Sequence, residues 1–335
     1  MDCSIARTVA ARVHTTASAS ATDRRVLARR AQFGELVRIA RGYYLDAEVI
    51  ASHPQPLEVV TFARLLALQH KHPHLIASGP TAAWLRGLPL LREHPPHVTT
   101  TSNHHPRPIT LPAIRVGSLH FHSSTVRPHR PRGGRSPAMI RYGGDVIGST
   151  VEDTIIDCAL TLDQEEAFVV ACAGLHELAR YSRFYRDDSR QREERNRSRL
   201  LRTLGPSKQG VKHAKSARWV LEHADAGCDS AGESRLLYIL LRGGITGLET
   251  QYPVTTVSGR YFIDVAVPEA RIGIEFDGRG KYGSDVDAIH RSIEAEERRQ
   301  RLLEGLGWRI RRFRWAALPH ADEILGQVRY LLGRG

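Results

Sequence analysis

The C-terminal third of the chain has the clearest pattern of apolar and polar positions. Apolar residues recur at helical spacing over residues 231–241, and they alternate with polar residues over 251–257, 261–267 and 271–277. A charged stretch over 286–306 is followed by a strand-like segment at 308–313 and a helical pattern at 322–332. Because a period of 3.6 predicts a helix and a period of two predicts a strand, the predicted order is αβββαβα.

Three carboxylates fall on one face of the predicted sheet. Asp264 points away from the apolar side of its strand, and Glu275 and Asp277 do so on the next strand. Pairing the strands brings Asp264 near Glu275 or Asp277, where the carboxylates repel unless a cation lies among them. Such oxygen ligands suit Mg²⁺ or Mn²⁺, which can activate water against a phosphodiester. The alternative is a solvent-facing sheet edge with ordinary surface acids.

Two further residues are candidates beside these carboxylates. Lys281 follows Asp277 by four residues and can stabilise charge on a phosphate, and its alternative role is that of a surface lysine in a loop. Glu233 stands at the start of a predicted helix, where it is a candidate ligand. Ser230 and Glu233 also have the spacing of a capping box, which alone explains the glutamate.

A short basic helix followed by a hairpin is predicted near the N-terminus. Arginines crowd residues 23–30, and residues 34–45 are rich in β-branched and aromatic side chains with glycines near both ends. This order is that of a winged-helix module, whose helix enters a major groove while the hairpin contacts the flanking backbone. The alternative is a small α+β cap with solvated arginines. The predicted DNA-contacting residues are Arg24, Arg25, Arg29, Arg30, Arg38 and Arg41.

The charge of the chain favours a polyanionic partner, nucleic acid before membrane. The formal net charge is +12, and the basic residues are 43 arginines and only 5 lysines. An arginine bias of this size is also what a GC-rich genome produces, so part of the charge can be coding background. Nine arginines, seven histidines and one acid between residues 86 and 141 predict a basic surface along phosphates rather than a histidine metal site.

Several classes of protein are excluded by the composition. No apolar run reaches the ~18 residues of a membrane span. The four cysteines are scattered and have the spacing of neither a disulfide framework nor a zinc ribbon, so we expect a reducing, cytoplasmic location.

Changes in composition divide the chain into five segments. Residues 1–21 predict a disordered arm, and residues 181–224 predict a charged, partly helical linker. A winged-helix-like module spans 22–56, an α/β middle domain spans 57–180, and the last domain spans 225–335. The predicted fold class is α+β multidomain, ending in an αβββαβ core.

The C-terminal motifs resemble those of the PD-(D/E)XK nuclease superfamily, in the branch related to very-short-patch mismatch-repair endonucleases. The matching residues are Glu233, Asp264, Ile274-Glu275-Phe276-Asp277-Gly278, Lys281 and Leu306-Gly307-Trp308-Arg309-Ile310. The resemblance implies a restriction-endonuclease-like fold and Mg²⁺-dependent DNA cleavage, with Asp264 and Glu275 as metal ligands. Asp277 stands where the motif lysine usually stands, and Lys281 is the candidate replacement.

The N-terminal half is similar, more loosely, to AbiEi-type antitoxin regulators. The matching stretches are residues 34–45, 78–89 and 149–157. That family implies a winged helix that binds DNA and represses transcription, with a cognate toxin as a protein partner for which the residues offer no separate support.

Two functions therefore compete. The first is a Mg²⁺-dependent DNA endonuclease with a DNA-targeting N-terminal half. The second is a non-catalytic DNA-binding regulator or antitoxin whose nuclease-like fold has lost turnover. Asp277 at the lysine position favours the second, whereas the pair Asp264 and Glu275, with Lys281, favours the first.

Overall fold

A computed structural model describes residues 3–17, 19–94, 96–100, 107–130, 138–205, 213–278 and 286–333, with residues 3, 4, 144 and 286–295 described by their backbone alone. The chain is of mixed α and β structure with several small sheets. It divides into two compact units, residues 1–161 and 162–335. Within the described residues, no helix is both long and apolar enough to cross a membrane.

The N-terminal unit alternates short strands with helices. Its elements are α1 (Cys3–Arg12), β1 (Val13–Thr15), α2 (Ala21–Gln32), β2 (Leu36–Ala40), β3 (Tyr43–Asp46), α3 (Ala47–Ala51), α4 (Pro56–Lys71), β4 (Leu75–Ala77), α5 (Gly79–Arg86), β5 (Val98–Thr100), β6 (Ile109–Leu111), β7 (Ile114–Val116), β8 (Leu119–Phe121), β9 (Ser124–Val126), β10 (Met139–Arg141), β11 (Ile147–Ser149) and α6 (Val151–Thr161).

Helix α4 is the centre of this unit. Its apolar side chains, among them Val59, Phe62 and Leu66, are almost fully buried in the main hydrophobic cluster. Around it lie a three-stranded antiparallel sheet in the order β1-β3-β2, a four-stranded sheet in the order β10-β11-β4-β5, and the two-stranded pairs β6-β9 and β7-β8. Most of the surface of α4 is buried, because apolar residues occupy most of its positions and few polar residues are left to face solvent.

The predicted disordered arm at residues 1–21 is wrong for most of its length. Residues 3–12 form α1, and β1 pairs with β3 through Val13 and Leu45. Ile5 and Val9, one helical turn apart, are buried in the core of the unit. Burial of these side chains against other elements stabilises a helix whose own sequence gives only a weak signal.

The predicted helix and hairpin at residues 22–56 are present, as α2 followed by β2 and β3. The hairpin closes at Arg41-Gly42, where Ala40 pairs with Tyr43. Gly42 has a φ of +83°, and a Cβ there would lie 2.9 Å from Oγ1 of Thr16. Both the backbone conformation and the close approach of Thr16 therefore require glycine at this turn.

The C-terminal unit contains the order predicted from the apolar pattern, preceded by three further helices. Its sheet has the order β12-β13-β14-β15, in which β14 and β15 are parallel and the other pairs are antiparallel. The elements are α7 (Gln164–Ala179), α8 (Arg186–Leu204), α9 (Ala214–His223), α10 (Ala231–Arg242), β12 (Glu249–Thr256), β13 (Gly259–Val267), β14 (Ile272–Phe276), α11 (Val286–Gly305), β15 (Arg309–Phe313) and α12 (Ala321–Leu331).

Helices cover both faces of this sheet at β14, all of whose residues are buried. The ring of Phe276 lies against Gly232 of α10 and leaves no room for a Cβ there. The neighbouring side chain, Glu275, contacts Arg299 of α11. Because consecutive strand residues point to opposite faces, α10 and α11 lie on opposite sides of β14. The face of the sheet that carries Glu275 is therefore covered by a helix, which contradicts the alternative of a solvent-facing edge for this residue.

The predicted linker at residues 181–224 forms folded structure inside the C-terminal unit. Most of it is helix α8 and helix α9, and the division between compact units falls at residues 161 and 162, not between residues 224 and 225. Glu193 of α8 is buried between Arg190 and Arg197, each 2.6 Å away. It also accepts a hydrogen bond from the N–H of Ala226. Part of a charge run that looks solvated in the sequence is thus an internal ion-pair network, centred on Glu193.

Candidate functional site

The outward face of α2 is a basic surface. Leu27 is the one buried side chain of this helix, and Arg25 and Arg29 lie two positions before and after it. Because two residues turn a helix by about 200°, both arginines point away from the body of the unit. The Arg29 guanidinium also lies 5.7 Å from the ring centre of Phe33, which is 68% exposed.

The hairpin β2–β3 that follows α2 also carries exposed arginines. Arg38 on β2 and Arg41 in the turn are exposed, as is Arg24 on α2, whose Nε donates to the carbonyl of Ala19. Within the described part of the chain, none of the predicted arginines other than Arg30 forms an ion pair. We call Arg24, Arg25, Arg29, Arg38 and Arg41 the basic surface.

Arg30 differs from the other predicted DNA-contacting residues because it has acidic partners. Its Nε lies 2.9 Å from Glu35, and a terminal nitrogen lies 3.2 Å from Asp46. The hydrogen bond to Glu35, which outweighs the effect of burial, raises the pKa of the Arg30 guanidinium. Asp46 also contacts Arg12 and His14, so Arg30 belongs to an ion-pair cluster that joins α2 to α1, β1 and β3.

The predicted carboxylates lie in a polar row across the C-terminal sheet. Val265 pairs with Ile274, so Asp264 and Glu275 are the next residues along the two strands. Oδ2 of Asp264 accepts the N–H of Phe276 at 2.9 Å. The sequence predicted either Glu275 or Asp277 as the neighbour of Asp264, and this register selects Glu275.

Glu275 is held by two guanidinium groups. It is 5% exposed and contacts Arg299 through both carboxylate oxygens and Arg312 at 3.1 Å. Both arginines also contact Glu296, which closes a cycle of four charges. Burial disfavours the charge of Arg299, but Glu275, Glu296 and Asp264 together outweigh burial and raise the pKa of this guanidinium. The cluster is therefore neutralised internally.

The remaining predicted site residues have separate partners. Asp277 lies 3.0 Å from Arg314. Glu233 takes part in capping α10: its N–H donates to Oγ of Ser230, and its carboxylate accepts from that hydroxyl and from the N–H of Asp229. Lys281 lies outside the described residues.

A divalent cation does not fit the carboxylates as they are arranged. Among the described residues, no group of three histidine, cysteine or acidic side chains could hold a metal ion. Mg²⁺ at Glu275 would have to displace Arg299 and Arg312 and leave two guanidinium groups near a doubly charged ion. We derive no catalytic step through a metal, and the metal site stays a prediction of the sequence.

Sequence reasoning missed three members of this row. Arg312 pairs with Glu275 in the register of β14 and β15, and Arg299 contacts Glu275 from α11.

The third member of the row is Gln251 on β12. Thr250 pairs with Val265 and Tyr252 with Ile263, so Gln251 lies opposite Asp264. Gln251 is almost fully buried, and its amide nitrogen lies 3.4 Å from Glu233. Gln251 has a φ of +47°, which interrupts the regular alternation of β12, and no local signal identifies which arginines meet Glu275.

Comparisons of the chain with protein-family models, with curated proteins and with solved structures found no match. The two family resemblances therefore stay predictions.

Proposed function

We propose that the protein binds duplex DNA through the basic surface on α2 and the hairpin β2–β3. The observation that supports this is a set of exposed arginines on two adjoining elements that lack a carboxylate partner in the described part of the chain. The arginines with acidic partners in the same region, such as Arg30, serve to hold the elements together.

The physical argument rests on what unpaired guanidinium groups do together. Five of them on one surface repel one another in the free protein, and phosphates relieve that repulsion with bidentate, charge-assisted hydrogen bonds. Each contact also releases a counterion from the duplex, which makes binding favourable at low salt. The net charge of +12 adds a long-range attraction to the same partner.

The two elements have different parts in this proposal. Arg25 and Arg29 lie one turn apart on the outward face of α2, which suits insertion into a major groove. Arg38 and Arg41 on the hairpin contact the flanking phosphates and fix the orientation of the helix. The protein is then a DNA-binding regulator of the kind that the N-terminal resemblance implies.

In this proposal the C-terminal sheet has no catalytic role, because Arg299 and Arg312 neutralise Glu275. The second candidate function is Mg²⁺-dependent cleavage of DNA. One specific observation favours it, namely that Asp264 and Glu275 are neighbours across β13 and β14.

The binding proposal is tested by fluorescence anisotropy on a labelled duplex. The double variant Arg25→Gln, Arg29→Gln should bind at least about tenfold more weakly, because it removes two phosphate or base contacts. The matched control is Arg195→Gln, Arg202→Gln on α8, which removes the same charge from exposed positions in the other unit. An equal loss in both double variants would assign the affinity to net charge and contradict the proposed surface.

A plasmid-nicking assay separates the two candidates. We expect the wild type to shift the plasmid on a gel and to leave it uncut with Mg²⁺ or Mn²⁺. Nicking by the wild type that needs the ion and that Asp264→Asn abolishes would establish the endonuclease instead. The Arg25→Gln, Arg29→Gln variant serves in the same assay to show whether any nicking depends on the basic surface.

A further inference from the structure

A cavity of about 550 Å³ lies in the N-terminal unit between α4, α5, the segment after α5 and the end of β8. This volume is in the range of ~300–1,000 Å³ that small-molecule sites occupy. Apolar side chains form part of the wall, including Leu57, Pro80, Trp84, Leu90 and Phe121. The proposed DNA contacts use none of them, so the cavity needs a separate explanation.

Arg64 is the distinctive polar residue of the cavity. It is 7% exposed, and one terminal nitrogen donates to the carbonyls of Pro112 and His122 at 2.6 and 3.0 Å. Its Nε is buried without a hydrogen-bond partner. Burial lowers the pKa of this guanidinium, which is what a cation removed from water without a counter-ion shows.

No carboxylate in the described part of the chain forms an ion pair with Arg64. Glu58 and Glu93 also line the cavity, yet neither is paired with it. A buried charge that lacks a partner is costly, and natural proteins keep one mainly where something else supplies the opposite charge. The missing element of this cavity is therefore an anion.

A second polar group in the wall also lacks a partner. The hydroxyl of Ser124, at the start of β9, is buried without a hydrogen bond. A hydroxyl donates to a carboxylate readily, and the Nε–H of Arg64 can donate a charge-assisted hydrogen bond to the same group, because one terminal nitrogen already donates to two carbonyls. Two unsatisfied donors beside an aromatic wall define a ligand with an anionic head and a flat apolar body.

We propose that this cavity binds a small aromatic carboxylate. Its carboxylate pairs with Arg64 and accepts from Ser124, and its ring packs among Trp84 and Phe121. The site lies in the unit that carries the basic surface, but the proposal is independent of DNA binding and stands whether or not the protein binds DNA.

Calorimetry with the full chain and three probes of nearly equal shape tests the ligand class. Phenylacetate should bind, and phenylacetamide should bind at least about tenfold more weakly. Phenethylamine should not bind. The reason is that only phenylacetate supplies a negative charge to Arg64. No binding of phenylacetate, or equal affinity for the amide, would overturn the proposal.

Two variants then test the assigned residues. Arg64→Met should abolish binding of phenylacetate, and Ser124→Ala should weaken it several-fold by removing one donor. The control is Arg115→Met, which changes an exposed arginine of β7 outside the cavity and should bind as the wild type does. If Arg64→Met does not fold, Ser124→Ala and the three probes carry the test. Undiminished binding in Ser124→Ala, or in a folded Arg64→Met protein, would overturn the assignment.

Discussion

Arg64 in the N-terminal unit and Arg299 in the C-terminal unit are both largely removed from water, and they differ in what surrounds them. Arg299 lies against Glu275 and Glu296 and shares both with Arg312. Arg64 has two carbonyl oxygens as partners and a buried Nε with none. The first arrangement is complete within the chain, whereas the second requires an anion from outside.

This difference indicates where to look for function in the molecule. A buried carboxylate that is paired with two guanidinium groups is already neutralised and does not require a metal cation, even where the sequence predicts a metal ligand. A buried guanidinium without a carboxylate partner is not neutralised and requires an anion. The same reasoning separates Arg30, which is paired, from the unpaired arginines of the basic surface.

The largest expected effect follows from removing the charge of Glu275. Glu275→Gln leaves Arg299 and Arg312 facing a neutral amide in a buried setting, so we expect a loss of about 3–5 kcal/mol in the free energy of unfolding. Urea denaturation measures it. The matched control is Glu269→Gln at an exposed position, which should change stability by less than about 0.5 kcal/mol.

An unchanged or higher stability of Glu275→Gln would contradict the claim that Arg299 and Arg312 neutralise Glu275. If the carboxylates instead repel one another around a vacant cation position, Glu275→Gln would leave stability unchanged or raise it. A stable Glu275→Gln protein would therefore return the cluster to the metal-site hypothesis.

The strands and the pairing of their carboxylates followed from the sequence, and the arginine partners did not. Alternation over residues 261–277 places Asp264, Glu275 and Asp277 on one face, and the register of β13 and β14 then selects Glu275 as the neighbour of Asp264. Arg299 is 24 residues from Glu275 and Arg312 is 37 residues away, and the chain offers many other arginines. Only tertiary packing determines which of these arginines contact Glu275.

Two segments were mispredicted for a related reason. In α1 the buried positions are few, since Ile5, Ala6 and Val9 are its core residues, and so short a pattern resembles a disordered arm. In α8 the buried residues include Ser189 and Glu193, which hydropathy reads as solvated. Burial of polar groups depends on partners that are distant in the sequence, such as Asp225 and Thr250 for Arg190.

A smaller loss of stability is expected when the charge of Asp46 is removed. This carboxylate forms ion pairs with Arg12 and Arg30 in the N-terminal unit. Burial opposes ionisation of Asp46, but the hydrogen bond from His14 and the charge of Arg30 outweigh it and hold its pKa below the ordinary value. Asp46→Asn should cost about 1–3 kcal/mol at neutral pH.

The pH dependence of this effect has a defined sign. A lowered pKa contributes stability above the ordinary pKa of about 3.9, and the contribution disappears as the pH falls through the folded-state value. Urea denaturation of the wild type and Asp46→Asn should therefore show a difference that is constant near neutral pH and shrinks below pH ~4. A difference independent of pH would show that Asp46 acts by packing alone.

Among the buried charged residues compared, Arg64→Met is expected to change stability least. Among the described residues, no carboxylate is paired with Arg64, and the variant removes only the donor to the carbonyls of Pro112 and His122. The free energy of unfolding should therefore fall by about 1–2 kcal/mol. The same change at Arg299 leaves Glu275 with Arg312 alone and should cost about 3 kcal/mol or more. Thermal unfolding of the two variants compares them directly, and equal losses would contradict the distinction between a complete and an incomplete site.

The most direct test of the account measures how DNA affinity depends on salt. The logarithm of the association constant should fall linearly with the logarithm of salt concentration, by about 0.9 for each phosphate contact on B-DNA. Neutralising Arg38 and Arg41, the two hairpin arginines, with Arg38→Gln and Arg41→Gln should therefore reduce the slope by about 1.8. The Arg195→Gln, Arg202→Gln control should keep the wild-type slope, and an unchanged slope in the hairpin variant would contradict the claim that this surface binds DNA.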